Sequence, residues 1–154
     1  MIMQQAQIKK EKAFAIGIEA NQVIDLQQDK PARIHKGTEG VLDILANISS
    51  GFSIQASSTN NSSKYAAKMN ITSQPGIEAG DIIFPETINS HDDALGTDIR
   101  IYAERVDLQI PVSISENLEP GRYVIGGQIF YQASNDKICF MPQYKAFQLQ
   151  IDVL

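Results

Sequence analysis

From Val106 to Ile114 the chain sets an aliphatic residue at every second position, Val106, Leu108, Ile110, Val112 and Ile114, with Asp107, Gln109 and Ser113 among the residues between. A side-chain period of two turns one face to a core and the other to water, which is the pattern of a half-buried strand. The same alternation recurs in Leu42, Ile44, Ala46 and Ile48, in Phe147, Leu149, Ile151 and Val153, and more briefly in Phe14, Ile16 and Ile18. Turn-forming residues separate these runs at Lys36-Gly37, Ser49-Ser50-Gly51, Gln74-Pro75-Gly76, Glu119-Pro120-Gly121 and Ser134-Asn135-Asp136. No segment carries an apolar stripe at helical spacing. The expectation is an all-β chain, an immunoglobulin-like antiparallel β-sandwich, with a small barrel as the other arrangement of such strands.

A chain of 154 residues matches one hydrophobic core, so a single domain over residues 1–154 is expected, with residues 1–12 a disordered or loosely attached segment. Hydrophobic residues are 43% and charged residues 20%, a balance that folds rather than staying disordered. Two polar stretches read as loops, residues 57–64 and residues 85–98, the second with an acidic tip.

The net charge is −5 and the lysines and arginines are scattered, so neither a nucleic-acid backbone nor an anionic membrane surface is an expected partner. Apolar runs such as Ile82-Ile83-Phe84 fall far short of the ~18 residues that cross a bilayer. The first residues show no continuous apolar stretch of a signal peptide, so an exported protein would have lost its signal from this chain. Sequons begin at Asn47, Asn60, Asn61 and Asn70 and matter only in a glycosylating host.

The single cysteine lies in YQASNDKICFMPQ, residues 131–143. One cysteine forms no internal disulfide, so the cysteine count does not distinguish an oxidising from a reducing compartment. Gln128 to Ala133 reads as a strand and Asn135-Asp136-Lys137 as a turn, which leaves Ser134 and Cys139 flanking four residues at a hairpin end. Opposed residues there have Cβ atoms ~4.5–5.5 Å apart, a spacing that two cysteines bridge with modest adjustment.

Tyr131-Gln132-Ala133-Ser134-Asn135-Asp136-Lys137-Ile138-Cys139, followed by Pro142, resembles the cysteine signature of the N-terminal periplasmic domain of the DsbD disulfide reductase family. The likeness continues upstream in Tyr102 to Val112 and Pro120-Gly121, and more weakly in Ser50 to Ile54 and Phe84-Pro85. It covers roughly residues 38 to 154 and implies an immunoglobulin-like fold, no cofactor and no metal. In that family a cysteine pair relays electrons from a transmembrane reductase module to periplasmic thioredoxin-fold proteins, in processes that include cytochrome c biogenesis. The resemblance therefore implies a periplasmic thiol-disulfide exchange domain that meets thioredoxin-fold partners by transient mixed disulfide. Cys139 stands at the second cysteine, and Ser134 replaces the first. Tyr131, Gln132, Asn135, Asp136, Phe140 and Pro142 surround the pair. Asp92, Asp93, Ala94 and Leu95 match a shielding cap loop, with Ala94 where the family has an aromatic residue.

A serine hydroxyl neither forms nor resolves a disulfide, so internal cycling is excluded. Ser134 reads either as an engineered replacement or as natural loss of cycling with the docking surface kept, and Ala94 leans toward the second. Plainer readings stand beside these. A lone cysteine is commonly a small buried hydrophobe, and Lys137 and Asp136 oppose each other in their effect on a thiolate. His35 and His91 lack metal-ligand spacing, and Asp92, Asp93 and Asp98 lack that of a calcium loop. Cys139 with His91 has no oxyanion element to make a protease. Tyr131, Phe140 and Tyr144 read as core and rim aromatics. The competing functions are a non-redox interaction module using the same face, with Ser134 native and Cys139 packed, and an accessory sandwich in an envelope or adhesion assembly.

Overall fold

The computed structural model describes residues 22–56, 66–92 and 97–154, with only the backbone for residues 89–92 and 97–99. Twelve strands form among them: β1 (Ile24–Gln27), β2 (Ala32–Ile34), β3 (Glu39–Ile48), β4 (Ser53–Gln55), β5 (Lys68–Ile71), β6 (Ile77–Ala79), β7 (Ile88–Asp92), β8 (Thr97–Ala103), β9 (Arg105–Ile114), β10 (Gly121–Tyr131), β11 (Ala133–Ser134) and β12 (Gln143–Val153). The three longest alternating runs of the sequence are the inner strands β3, β9 and β12. The alternation at Phe14–Ile18, the polar run 57–64 and the loose segment 1–12 lie outside the described residues.

Two four-stranded sheets, in the orders β1-β3-β9-β6 and β2-β12-β10-β5, face each other across one core. Leu42, Ile44, Leu108 and Ile110 enter it from the first sheet, and Ile125, Ile129, Leu149 and Ile151 from the second, all essentially without solvent contact. This is an immunoglobulin-like antiparallel β-sandwich. Every pairing is antiparallel except β12 with β2, where Ile151, Asp152 and Val153 run parallel to Ala32, Arg33 and Ile34. The chain thus runs along the edge of one sheet as β1 and crosses to the edge of the other as β2.

Turn chemistry fixes the connections. Gln74-Pro75-Gly76-Ile77 closes with Ile77 N–H donating to the Gln74 carbonyl at 3.2 Å, and Gly76 holds φ at +84°. Proline at the second and glycine at the third position suit a type II turn, whose third residue needs positive φ. Gly127 answers a different demand, because a Cβ there would sit 2.7 Å from the Asn70 carbonyl oxygen and 2.6 Å from the Phe147 ring. Only a residue without a side chain lets β5 and β10 close at this point.

A third sheet, in the order β11-β4-β8-β7, grows from one end of the sandwich. β11 continues β10 after Gln132 alone, and β8 runs into β9 through Glu104 alone. Glu104 adopts φ of 64° and accepts from Ile48 N–H at 2.7 Å, which turns the strand from one sheet into the other. The expected loop over 85–98 is here largely a hairpin, with Ile88↔Ile101, Ser90↔Ile99 and Asp92↔Thr97 paired. Its outer arm, Ile-Asn-Ser-His-Asp, is an edge strand, and an edge strand needs no continuous buried face, so it lacks the alternation that marks β3 or β9.

Candidate functional site

The Cys139 segment is a hairpin built on buried anchors. Tyr131, Ala133, Ile138 and Phe140 point into the core, at 0, 1, 7 and 4% exposure. Ser134 between them is half-buried, and Cys139 is exposed. The Phe140 ring stacks on Phe52 with centroids 5.7 Å apart. Gln132 Nε2 donates to the Phe140 carbonyl at 3.1 Å, which ties the two arms together at their base.

Asn135 makes the turn. Its side-chain oxygen accepts from Lys137 N–H at 2.8 Å and Ile138 N–H at 2.7 Å, and its own N–H donates to the Ile138 carbonyl at 2.8 Å. An asparagine that satisfies backbone donors two and three residues on is a local reason for the chain to reverse here. Asp136 and Lys137 are exposed at the tip, and Pro142 is half-buried where the chain turns into β12.

Ser134 and Cys139 form an antiparallel bridge. The flanking bonds run from Asn135 N–H to the Ile138 carbonyl and from Phe140 N–H to the Ala133 carbonyl, so the two residues are a non-hydrogen-bonded pair. Such pairs have Cα atoms ~4.5 Å apart and bring their side chains together on one face. That spacing falls at the short end of the roughly 4.4–6.8 Å that a disulfide spans. The sequence-level expectation that these residues face each other agrees with this bridge.

Ser134 is also paired to β4, opposite Ser53, which in turn lies opposite Ala103. On the other side of Cys139 no described strand is paired. The backbone edge carrying the thiol therefore faces solvent, as the geometry of a non-hydrogen-bonded pair directs its N–H and C=O outward. Met141, two residues on from Cys139, is 63% exposed, and Tyr144, at the start of β12, is 67% exposed. Tyr144 tilts against Phe130 with centroids 5.0 Å apart. Nothing in the sequence marked Met141 as part of this surface, because its neighbours Phe140 and Pro142 turn inward and its exposure follows from the hairpin alone.

Of the cap-loop residues, Asp93, Ala94 and Leu95 lie outside the described residues, and only the backbone of Asp92 is described. The stem of that hairpin runs away from Cys139. Its last pair, Asp92↔Thr97, is six residues along β8 from Ala103, the residue in the Ser134 row, or roughly 20 Å at strand rise.

Tyr131 anchors the site from below. Burial pushes its phenol up to about 12, because a phenolate loses its hydration in the core. The neutral form is favoured in the fold, so the stabilisation is complete below pH 10 and is lost as the pH rises through about 12. Alkaline unfolding followed by tyrosinate absorbance should show a late step, absent in Tyr131→Phe, with a loss on the order of 2–3 kcal/mol.

No known family model matches the chain, and no curated protein sequence does. Among solved structures it is similar to the N-terminal domain of DsbD from Neisseria meningitidis in the reduced form, at 12% identity and a TM-score of 0.49, over 72% of this chain and 77% of that one. A human ASH/PapD-like domain matches at 8% identity and a TM-score of 0.43, over 100% and 93%. AggA, the major subunit of aggregative adherence fimbriae type I from Escherichia coli, matches at 15% and 0.36, over 85% and 94%. At such identities and scores these likenesses carry no argument about what the chain does. The resemblance read from the sequence holds at the level of an immunoglobulin-like fold.

Proposed function

We propose that this chain is a thiol-disulfide exchange domain that acts through Cys139, relaying reducing equivalents between thioredoxin-fold partners in the periplasm. The observation that carries this reading is the Ser134–Cys139 bridge, a non-hydrogen-bonded cross-strand pair of the kind that disulfides span, with its thiol exposed. In the exchange, the Cys139 thiolate attacks one sulfur of a partner's disulfide. An S–S bond forms to that sulfur, the partner's own S–S bond breaks, and its second sulfur leaves as a thiolate that takes up a proton. Resolution needs another thiolate. Ser134 has none, so the mixed disulfide is opened only by a thiol of the partner or of a third molecule, and the chain does not cycle by itself.

The second reading is a non-redox docking module on the same face, favoured by Ser134 itself and by exposed Met141 and Tyr144. Both readings place the partner over residues 131–144. Reaction of Cys139 with an aromatic disulfide reagent separates exchange from packing. For an exposed thiol the folded protein should react within about tenfold of the denatured rate. Reaction only after denaturation contradicts the exchange reading.

A further inference from the structure

β3 is only half covered on its outer side. β1 pairs with Leu45 to Ile48, and the chain then leaves β3 at Gln28 to Pro31 and joins β12 as β2. Over Glu39 to Ile44 no described residue pairs with that edge. The corresponding gap on β12 is patched by a side chain. Gln28 Nε2 donates to the Gln150 carbonyl at 2.9 Å, and Gln150 N–H donates to the Gln28 side-chain oxygen at 2.7 Å. β3 has no such patch among the described residues. Beside it lies an open cleft of about 1540 Å³ that reaches Ile34 and Ile44, with Val41 of the bare edge 45% exposed. An unpaired strand edge with an exposed aliphatic residue invites another strand.

The chain itself contains a segment of that shape. Phe14, Ile16 and Ile18 alternate with Ala15 and Gly17 in the part that precedes the described residues. Five residues in strand geometry span roughly 17 Å, close to the roughly 20 Å of the bare stretch. Lys9, Lys10 and Lys12 precede the segment, and the two acidic residues of the bare edge itself are Glu39 and Asp43, although the wider cleft is mixed in charge, with Lys30, Arg33 and Arg105 beside Asp29 and Asp107. The same chain is poorly placed to supply it. Ser49 N–H donates to the Val23 carbonyl at 2.8 Å, so the chain enters β1 at the Ile48 end of β3. From there it would have to double back around β1, whereas a neighbouring molecule approaches the edge from solvent.

We propose that the Phe14–Ile18 segment of one copy adds as a strand to the Glu39–Ile44 edge of β3 in a second copy. Such a contact joins different surfaces of the two molecules, so it builds head-to-tail chains or rings. It is independent of the thiol and stands or falls apart from the exchange reading.

The test compares the full chain with its Ile16→Asp variant by sedimentation, with circular dichroism as the check on folding, and titrates a synthetic peptide of residues 9–21 into the variant. The full chain should assemble with concentration. Loss of one buried isoleucine weakens that assembly by at least about tenfold, and the variant, its edge vacant, should take up the peptide one to one. Assembly unchanged by Ile16→Asp overturns the proposal, as does a monomeric full chain whose variant ignores the peptide. A monomeric full chain whose variant does bind the peptide places the segment on its own molecule and overturns the assignment to a second copy.

Discussion

Ser134→Cys should give a protein whose two thiols disappear on mild oxidation, with the intact monomer lighter by two hydrogens and no covalent dimer. The bridge Ser134↔Cys139 already holds the backbone atoms in place, so closing the bond requires side-chain rotation and little else. A loop of this size, closed by a disulfide, restricts the unfolded chain by about 2 kcal/mol, less whatever strain the short cross-strand spacing stores. Reduction should therefore lower the thermal midpoint of the variant and leave the parent unchanged. Free thiols that persist under oxidant, or that pair only between molecules, contradict the register described for this hairpin.

Phe140→Ala should be the more damaging change. The ring is 4% exposed and stacked on Phe52, so its removal leaves a cavity between the hairpin and the start of β4. Truncating a buried phenylalanine costs about 3–5 kcal/mol, which for a domain of this length lowers the thermal midpoint by roughly 6–20 °C. The effect should also reach the thiol. With Phe140 gone, the residue that follows Cys139 no longer fixes its register, so in the Ser134→Cys background the yield of internal bridge should fall. A small shift in midpoint with an unchanged yield of bridge means that the hairpin is held by its turn alone.

The sandwich was legible because its central strands are buried on one face and wet on the other, and Val106 to Ile114 writes that asymmetry in every second residue. The hairpin at Cys139 was legible for a different reason, since Asn135 and its neighbours specify a turn locally and the pairing of Ser134 with Cys139 follows by counting. The short strands were not. β1, β2, β4 and β6 hold only four, three, three and three residues, too few for a period to show, and their pairing is imposed by the long strands beside them. β7 was hidden because an edge strand of Asn, Ser, His and Asp looks like a loop until Ile99 and Ile101 are found opposite it. The orientation of that hairpin relative to Cys139 is a property of sheet register, which no local motif encodes. The exposure of Met141 and Tyr144 likewise depends on where the hairpin meets β12.

The exchange reading rests on the Ser134–Cys139 pair being a competent disulfide site for a thioredoxin-fold partner. The most direct measurement is the reduction of the oxidised Ser134→Cys protein by a reduced thioredoxin-fold protein, against dithiothreitol at the same thiol concentration. The account predicts that the protein reductant opens the bridge much faster than the small dithiol, with a transient mixed disulfide at Cys139. A bridge that dithiothreitol opens as quickly as the protein does, or that the protein leaves intact, would contradict it and leave the face as a docking surface without redox chemistry.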